Sequence, residues 1–388
     1  MTGTGITLRL ALGKNRPSPA PQFIAESLQS VEITQSDQSP SKFQLLFHAD
    51  RTKVLSTDYE LLRSPLLTPK NRVILTITLN GTPSILIDGF ITQQELIHSQ
   101  EFGAAMLSVT GEDVSIVMDL YECSTEYPNL GHIAIVELIL AKYIPLLGLI
   151  IPEIFPATLP PYQSLQVDWV PQQNATDRAY LQQLAARHGY LFYMRPGLTF
   201  LSNIAYWGPP VRRGNPQPAM TVDMGPATNV ESINFCYDAL SPTLVYGFAQ
   251  SDPLQPELSE DIPIVTTNST RTPLSQSELQ PLELSLPFVR TQQFTDPRLG
   301  PLDALAKAQA ITDLSIDNVV VAQGQLNTLR YGHILQAPGI VGVRGVGHSY
   351  DGQYYVQSVT HKIARGNYQQ QFTLTRSGLG SLTNFVQP

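Results

Sequence analysis

Residues 351–376 read DGQYYVQSVTHKIARGNYQQQFTLTR. Two runs, Tyr354 to Lys362 and Tyr368 to Arg376, alternate apolar with polar residues, with Asp351-Gly352 and Gly366-Asn367 as the turns. A period of two marks a strand with one face in a core, and Gly or Asn between two such runs marks a turn. The stretch is expected to be a long antiparallel hairpin that closes a strand-rich region. An earlier stretch has a similar form. Gly89-Phe90-Ile91-Thr92 ends a strand and a second strand reaches Thr110 eighteen residues later, while Ser358-Val359-Thr360 leads to a strand ending at Thr375 fifteen residues later. The repetition points to two related barrels.

Outward from these hairpins, the first 120 residues read as strands. Ser30 to Thr34, Phe43 to Phe47, Val73 to Leu79, Ser84 to Thr92 and Ala105 to Thr110 are short apolar-rich runs. Asn80-Gly81 lies between the third and fourth, and this pair is the strongest short hairpin signal because both residues tolerate positive φ. The middle is different. Gly131 to Lys142 is apolar almost all round and predicts a buried helix, followed by an apolar loop over 143–159. A second helix is predicted from Asp177 to His188. Tyr180, Leu181, Leu184 and Ala185 form its buried face, Thr176 or Asp177 its cap, and Gly189 its stop. The aromatic strand Tyr190 to Tyr193 follows directly. Strands return from Ile233 to Tyr237 and from Leu244 to Phe248. The stretch 252–301 is rich in Pro, Ser, Thr and Gln and predicts a long loop or insertion. A third helix is expected from Pro301 to Leu314, then strands over 318–322, 332–336, 354–362 and 368–376. The fold class is mainly β with some α. Two similar antiparallel β-barrel, tube-like domains (1–120 and 216–388, the second with the insertion at about 252–301) are linked by a helical α+β middle region at 121–215.

Composition narrows the function. The chain has 388 residues, and 42% are hydrophobic, enough for a real core. Charged residues are 14%, against about 25% in an average soluble domain, so partners are expected to cover much of the surface. A net charge of −8 argues against nucleic-acid binding. Cys123 and Cys236 are too few for a disulfide scaffold or a four-cysteine zinc site. The start, Met1-Thr2-Gly3-Thr4-Gly5, lacks the basic-then-apolar pattern of a signal peptide, so cytoplasmic assembly with reduced thiols is expected. The apolar run Gly131 to Ile151 contains Glu137, Lys142 and Pro145, which a membrane span disfavours.

No catalytic, cofactor-binding or metal-ligating residue emerges. Gly347-His348-Ser349-Tyr350-Asp351-Gly352 resembles a nucleophile elbow, but its second glycine is one position late and a strand follows. Glycines 339, 342, 345 and 347 precede a hairpin, so they permit bends rather than cradle phosphate. The seven histidines form no short metal-ligand pair, and His188 and His361 are expected to be packed, hydrogen-bonded residues. The carboxylates Glu101 and Glu112, and Glu257, Glu260 and Asp261, read as solvated loop charges.

Two segments carry a family resemblance. Thr176 to Tyr193, TDRAYLQQLAARHGYLFY, resembles the helix, glycine and aromatic strand of phage tail hub proteins. Leu329 to Ile334, Asp351 to Ile363 and Phe372 to Arg376 are together similar to the C-terminal barrel of the phage late-control D family, the contractile-tail baseplate hub family that includes the hub portion of type VI spike proteins. Ile87 to Thr92 and Leu107 to Asp113 are similar to its first barrel. The stretches 252–301 and 143–159 depart from the pattern.

The resemblance implies a non-enzymatic symmetry adapter. Such hubs are homotrimers with two barrels per subunit, so six barrels ring an axis between a hexameric inner tube and a trimeric spike. Larger members append an oligonucleotide-type barrel and a β-prism. This chain stops at Pro388, so a separate spike protein is expected, beside the inner tube protein and other baseplate components. Neither wall digestion, a nucleic acid partner nor membrane insertion is expected. The resemblance places the protein in a phage tail or contractile injection particle, assembled in the cytoplasm. The alternatives are an enzyme or carbohydrate-binding protein built on β-domains, and a membrane-anchored hub using Tyr143 to Ile151.

Overall fold

The structure, a computed structural model, describes residues 5–14, 16–49, 59–98, 105–156, 170–250, 260–277, 289–294, 299–383 and 386. The chain begins with β1 (Ile6–Gly13), β2 (Ser18–Pro19), α1 (Gln22–Ser27), β3 (Leu28–Ser36), β4 (Lys42–Ala49), the one-turn helix α2 (Glu60–Arg63), β5 (Arg72–Leu79), β6 (Thr82–His98) and β7 (Ala105–Asp113). After a 3-10 turn at Val114–Asp119 come β8 (Glu122–Glu126), α3 (His132–Ala141), α4 (Ile144–Leu147), β9 (Leu149–Ile154), β10 (Gln172–Thr176), α5 (Asp177–Arg187), β11 (Leu191–Pro196) and β12 (Ser202–Gly208). The last part holds β13 (Gln217–Thr221), β14 (Val230–Tyr237), β15 (Thr243–Gln250), β16 (Asp261–Val265), β17 (Arg290–Phe294), α6 (Pro301–Asp317), β18 (Val320–Asn327), α7 (Thr328–Tyr331), β19 (Gly339–Arg344), β20 (Gly352–Ala364) and β21 (Asn367–Arg376). The chain is mostly β, with large antiparallel sheets and few helices.

Thirteen of the described strands share one sheet, and it contains the same arrangement twice. The first roll runs β3-β4-β7-β6-β5-β1 and the second β14-β18-β21-β20-β19-β13. Each has a three-strand meander, β5-β6-β7 or β19-β20-β21, whose last strand pairs with the second strand of the roll. Each has a four-residue helix, α2 or α7, between its second strand and its meander. Two of the irregularities coincide as well. Leu28 faces Phe47 before a shift to Ser30, and Val230 faces Leu326 before a shift to Ser232. Similarly, β6 slips against β7 between Ile91 and Gln93, and β20 slips against β21 between Val356 and Ser358. The rolls also differ: β1 meets β5 antiparallel and without a slip, whereas β13 meets β19 parallel with one, and β5 slips against β6 where β19 does not slip against β20.

Alternation places the cores. In β4, Phe43, Leu45, Phe47 and Ala49 are buried, and they meet Ile33, Leu75 and Leu107 in the first roll. Tyr354, Val356, Val359, Phe372 and Leu374 fill the second. Asn80 and Gly81 take φ 51° and 83°, as a tight hairpin turn between right-twisted strands requires. In the middle region, α3 and α5 pack with Trp207 and Phe192 on the small sheet β11-β12-β9. The Thr176 hydroxyl accepts the Ala179 N–H to cap α5, and Gly189 ends it at φ 63°. The Arg72–Asp88 pair, 2.6 Å apart and buried, ties the first roll to this region, since Arg72 also donates to the Leu147 carbonyl and Asn203 to Asp88. In the insertion, Ala304 and Ala308 of α6 pack on Val245, Ile264 and Phe294 of the sheet β16-β15-β17.

Several expectations need correction. The stretch 252–301 is not all loop, because β16 and β17 flank β15 there, while 252–259, 278–288 and 295–298 lie outside the described residues. The apolar stretch 143–159 forms α4 and β9 as far as Ile154, and 157–159 lie outside the described residues. No strand forms at 332–336. There α7 ends on Gly332 in the left-handed region, and the strand comes later as β19. Helix α3 is buried on one side only, with Glu137 and Leu138 exposed. No helix among the described residues is long and apolar enough to cross a membrane.

Val359 is fully buried in the second roll, so Val359→Asp sets an unpaired carboxylate in a core. The variant is expected to lose more than about 4 kcal/mol and to unfold at ordinary temperatures. A thermal melt matching that of the parent would show that this face does not carry the core.

Candidate functional site

The site with the most built geometry is where the two rolls meet. Strand β20 leaves β19 at Val356 and continues along β3 from Ser358 to Ala364, opposite Ser36 to Ser30. The rolls are joined covalently through the middle region and also directly, edge to edge. On the outer face of this joint Thr34 and Thr360 stand opposite each other, with Oγ1 atoms 3.0 Å apart. The inner face holds a buried polar network. His361 Nε2 lies 3.1 Å from Gln35 Oε1, and Gln35 donates its amide to the Leu86 carbonyl at 2.8 Å. His361 Nδ1 lies 2.8 Å from the Tyr368 hydroxyl. The set is satisfied by a neutral imidazole that donates from Nε2 and accepts at Nδ1. Burial agrees, pushing the His361 pKa down to about 3. At the upper end of the joint the Tyr355 hydroxyl donates to Asp37 Oδ2 at 2.6 Å. Burial pushes Asp37 up to about 6 against that hydrogen bond, and Asp37 Oδ1 has no partner among the described residues.

From this joint the sheet extends both ways as eight neighbouring strands, β14-β18-β21-β20-β3-β4-β7-β6. The face turned away from the cores is polar and mostly uncharged, with Gln325, Gln323, Gln371 and Thr373 on one side of the joint and Gln44, Ser108 and Thr110 on the other. A shallow hollow of about 350 Å³ lies on it, lined by Glu32, Thr34, Lys42, Gln44, Thr92 and Glu112 among others. Lys42 and Arg178 both pair with Glu112. The two ends of the strands differ. At the end with the Asp37–Ser41 turn, β7 leaves into the middle region, and β14 and β18 connect to the insertion. The opposite end carries α1, α2, α7 and the β20–β21 turn at Arg365-Gly366.

The residues weighed for chemistry are spread out. Ser349 sits in the β19–β20 turn, where its carbonyl accepts from Arg376 and Gly380, and no helix follows. His188 packs at the end of α5 against Tyr190 and Trp207, with Nε2 2.8 Å from His132 Nδ1. Burial pushes both histidines down to about 4. Glu101 and Glu257 lie outside the described residues, Asp261 opens β16, and no cluster of metal-ligating side chains forms among the described residues. Sequence reasoning missed Gln35, Asp37 and Gln370. Gln370 had a signal: it occupies an inward position between Tyr368 and Phe372, where alternation calls for an apolar residue.

The joint has a pH signature. With its native pKa below the ordinary 6.5, His361 binds fewer protons folded than unfolded. Its contribution is fully present above pH 6.5 and is lost as the pH falls toward the native value. Between pH 7 and pH 5 the parent is expected to lose about 2 kcal/mol through this residue. His361→Gln should lose correspondingly less over the same interval in urea unfolding. Equal losses in parent and variant would place the titration elsewhere.

No family model and no curated protein matches this sequence. Solved structures do match its fold. The tail protein from Neisseria meningitidis MC58 superposes with a TM-score of 0.62 at 15% identity, over 97% of this chain and 98% of that one. The 43 kDa tail protein of prophage MuSo2 from Shewanella oneidensis gives 0.63 at 13% identity, over 95% and 98%. The E. coli c3393 protein, described as a component of the type VI secretion system with structural similarity to T4 bacteriophage tail proteins, gives 0.56 at 13% identity, over 90% and 73%. Over nearly its whole length, this chain therefore has the fold of phage tail and type VI secretion proteins.

Proposed function

We propose that the chain is a structural baseplate hub of a contractile phage tail or of a related bacterial contractile injection system. It acts as a homotrimeric symmetry adapter between a hexameric inner tube and a trimeric spike, and it works by shape rather than by catalysis. The observation that carries this reading is the duplicated roll, β3-β4-β7-β6-β5-β1 and β14-β18-β21-β20-β19-β13. Two equivalent rolls per chain and three chains give six equivalent positions around one axis. The fold shared with tail proteins supports the same reading.

The two ends of the sheet suit two different partners. The end with α1, α2, α7 and the β20–β21 turn presents similar short features from both rolls, since α2 and α7 follow equivalent strands. We assign it to the sixfold tube. The other end carries the middle region once and the insertion once per chain, so it keeps only threefold symmetry. We assign it to the spike. Exposed apolar side chains on those two parts, including Tyr121, Leu146, Leu149 and Phe248, are surfaces for that partner and for other baseplate components. The three-part division at residues 120 and 215 belongs to the same proposal.

Light scattering of the purified protein, alone and with its spike protein, tests the reading. The expected species contains three chains of 42.7 kDa, about 128 kDa, and looks sixfold at one end and threefold at the other in electron micrographs. A monomer at high concentration under both conditions would sink it.

A further inference from the structure

We propose that the Asp37–Ser41 turn is a proton-operated latch, closed more firmly in a mildly acidic medium, that holds the middle region to the two rolls. It lies within one chain and does not depend on the ring.

Three parts of the chain converge on this turn. Its first residue continues the joint past the bulge in β20, where the Asp37 N–H donates to the Gln357 carbonyl at 3.3 Å. The second roll supplies Tyr355 from β20, whose hydroxyl donates to one carboxylate oxygen. The middle region supplies Tyr193 of β11, stacked on Tyr206 of β12 with ring centroids 4.8 Å apart. Burial, Tyr206 and the Asp37 charge together push the Tyr193 hydroxyl up, which sets the carboxylate beside that pair. The last residue of the turn, Ser41, makes the two-way contact with Asp113. Its N–H donates to the Asp113 carboxylate at 2.6 Å, and its carbonyl accepts the Asp113 N–H at 2.8 Å. Asp113 ends β7 and starts the path into the middle region. Loosening the turn therefore loosens the attachment of that region.

The Asp37 side chain gives the turn its sensitivity. It is 3% exposed, and its Oδ1 has no hydrogen-bond partner among the described residues. An ionised carboxylate held this way has one oxygen removed from water without compensation. The next two residues, Gln38 and Ser39, are exposed, so a small local opening of the turn returns the carboxylate to water. Ionisation drives that opening, and a proton removes the drive. In the closed turn burial raises the Asp37 pKa from the ordinary 3.8 to about 6, with the Tyr355 hydrogen bond opposing the rise and Asp317 of α6 adding to it. The closed turn thus binds more protons than the open one. The penalty is present above pH 6 and is relieved as the pH falls through that value. One further carboxyl faces the turn, that of Asp113. Burial pushes it up as well, while the Ser115 hydroxyl, the Ser115 and Ser41 N–H groups and Arg178 of α5 hold it down.

Amide hydrogen exchange of the full-length protein from pH 5 to pH 8, corrected for intrinsic rates, tests the latch. The Asp37, Ser41 and Asp113 amides are expected to gain about tenfold in protection between pH 7 and pH 5. Asp37→Asn, neutral and of the same shape, should be as well protected at pH 7 as the parent is at pH 5, and level across the range. Tyr355→Phe removes the opposing hydrogen bond and should move the midpoint to higher pH. Protection in the parent that falls or stays level on acidification overturns the latch. An unchanged pH dependence in Asp37→Asn assigns the titration to Asp113 and overturns it as well.

Discussion

The pairing of β20 with β3 is the interaction on which the rest of the structure depends. Strand edges carry backbone donors and acceptors that need partners, and a roll open at its sides leaves them unmet. Within this chain the second roll supplies what the first lacks. The contact covers Ser358 to Ala364 against Ser30 to Ser36 and brings Ile363 and Tyr368 of one roll into the core of the other. Because the rolls are welded directly, the middle region need not act as a rigid spacer. It hangs from Asp113, where Ser41 donates its N–H to the carboxylate at 2.6 Å and accepts the Asp113 N–H at 2.8 Å. A buried ion pair, Arg72–Asp88, fastens it rather than extended sheet. Removing one partner of such a pair strands the other charge, which gives Arg72–Asp88 more weight in fixing orientation than in net stability.

Local rules were readable in the sequence, and partnerships between distant strands were not. Asn80-Gly81, the Thr176 cap, the Gly189 stop and the final hairpin each follow from a few adjacent residues, and each is present. Strand β17, Arg290 to Phe294, has one apolar residue, and β16 contains Pro263, so neither shows the alternation that reveals a strand. They exist because β15 offers them its edges. The apparent strand at 332–336 fails for the opposite reason. Its apolar residues sink into the fold, but the Leu335 backbone is satisfied by a side chain, with its N–H given to Gln370 Oε1 and its carbonyl receiving the Gln370 amide. The duplication was visible as two similar hairpins, yet its register was not, because the bulges at Thr92 and Gln357 leave no mark in composition. The joint links residues more than 300 apart, and no periodicity records that.

A duplicated structure raises a problem of discrimination. In the duplicate, β6 and β14 hold the places that β20 and β3 hold at the joint, so the chain must not pair β20 with β14 or β6 with β3. The inner faces differ in the way this requires. The internal joint buries His361 and Gln35, and at the corresponding positions of the open edges stand Leu96 and Tyr237. A strand carrying His361 laid against β14 would leave a buried imidazole without its Gln35 acceptor, a cost of a few kcal/mol. Leu96 laid against β3 would orphan the Gln35 carbonyl in the same way. The polar network thus penalises the wrong pairing more than it stabilises the right one. Which edge meets which within the chain is then decided by what lies on the inner side of otherwise equivalent strands.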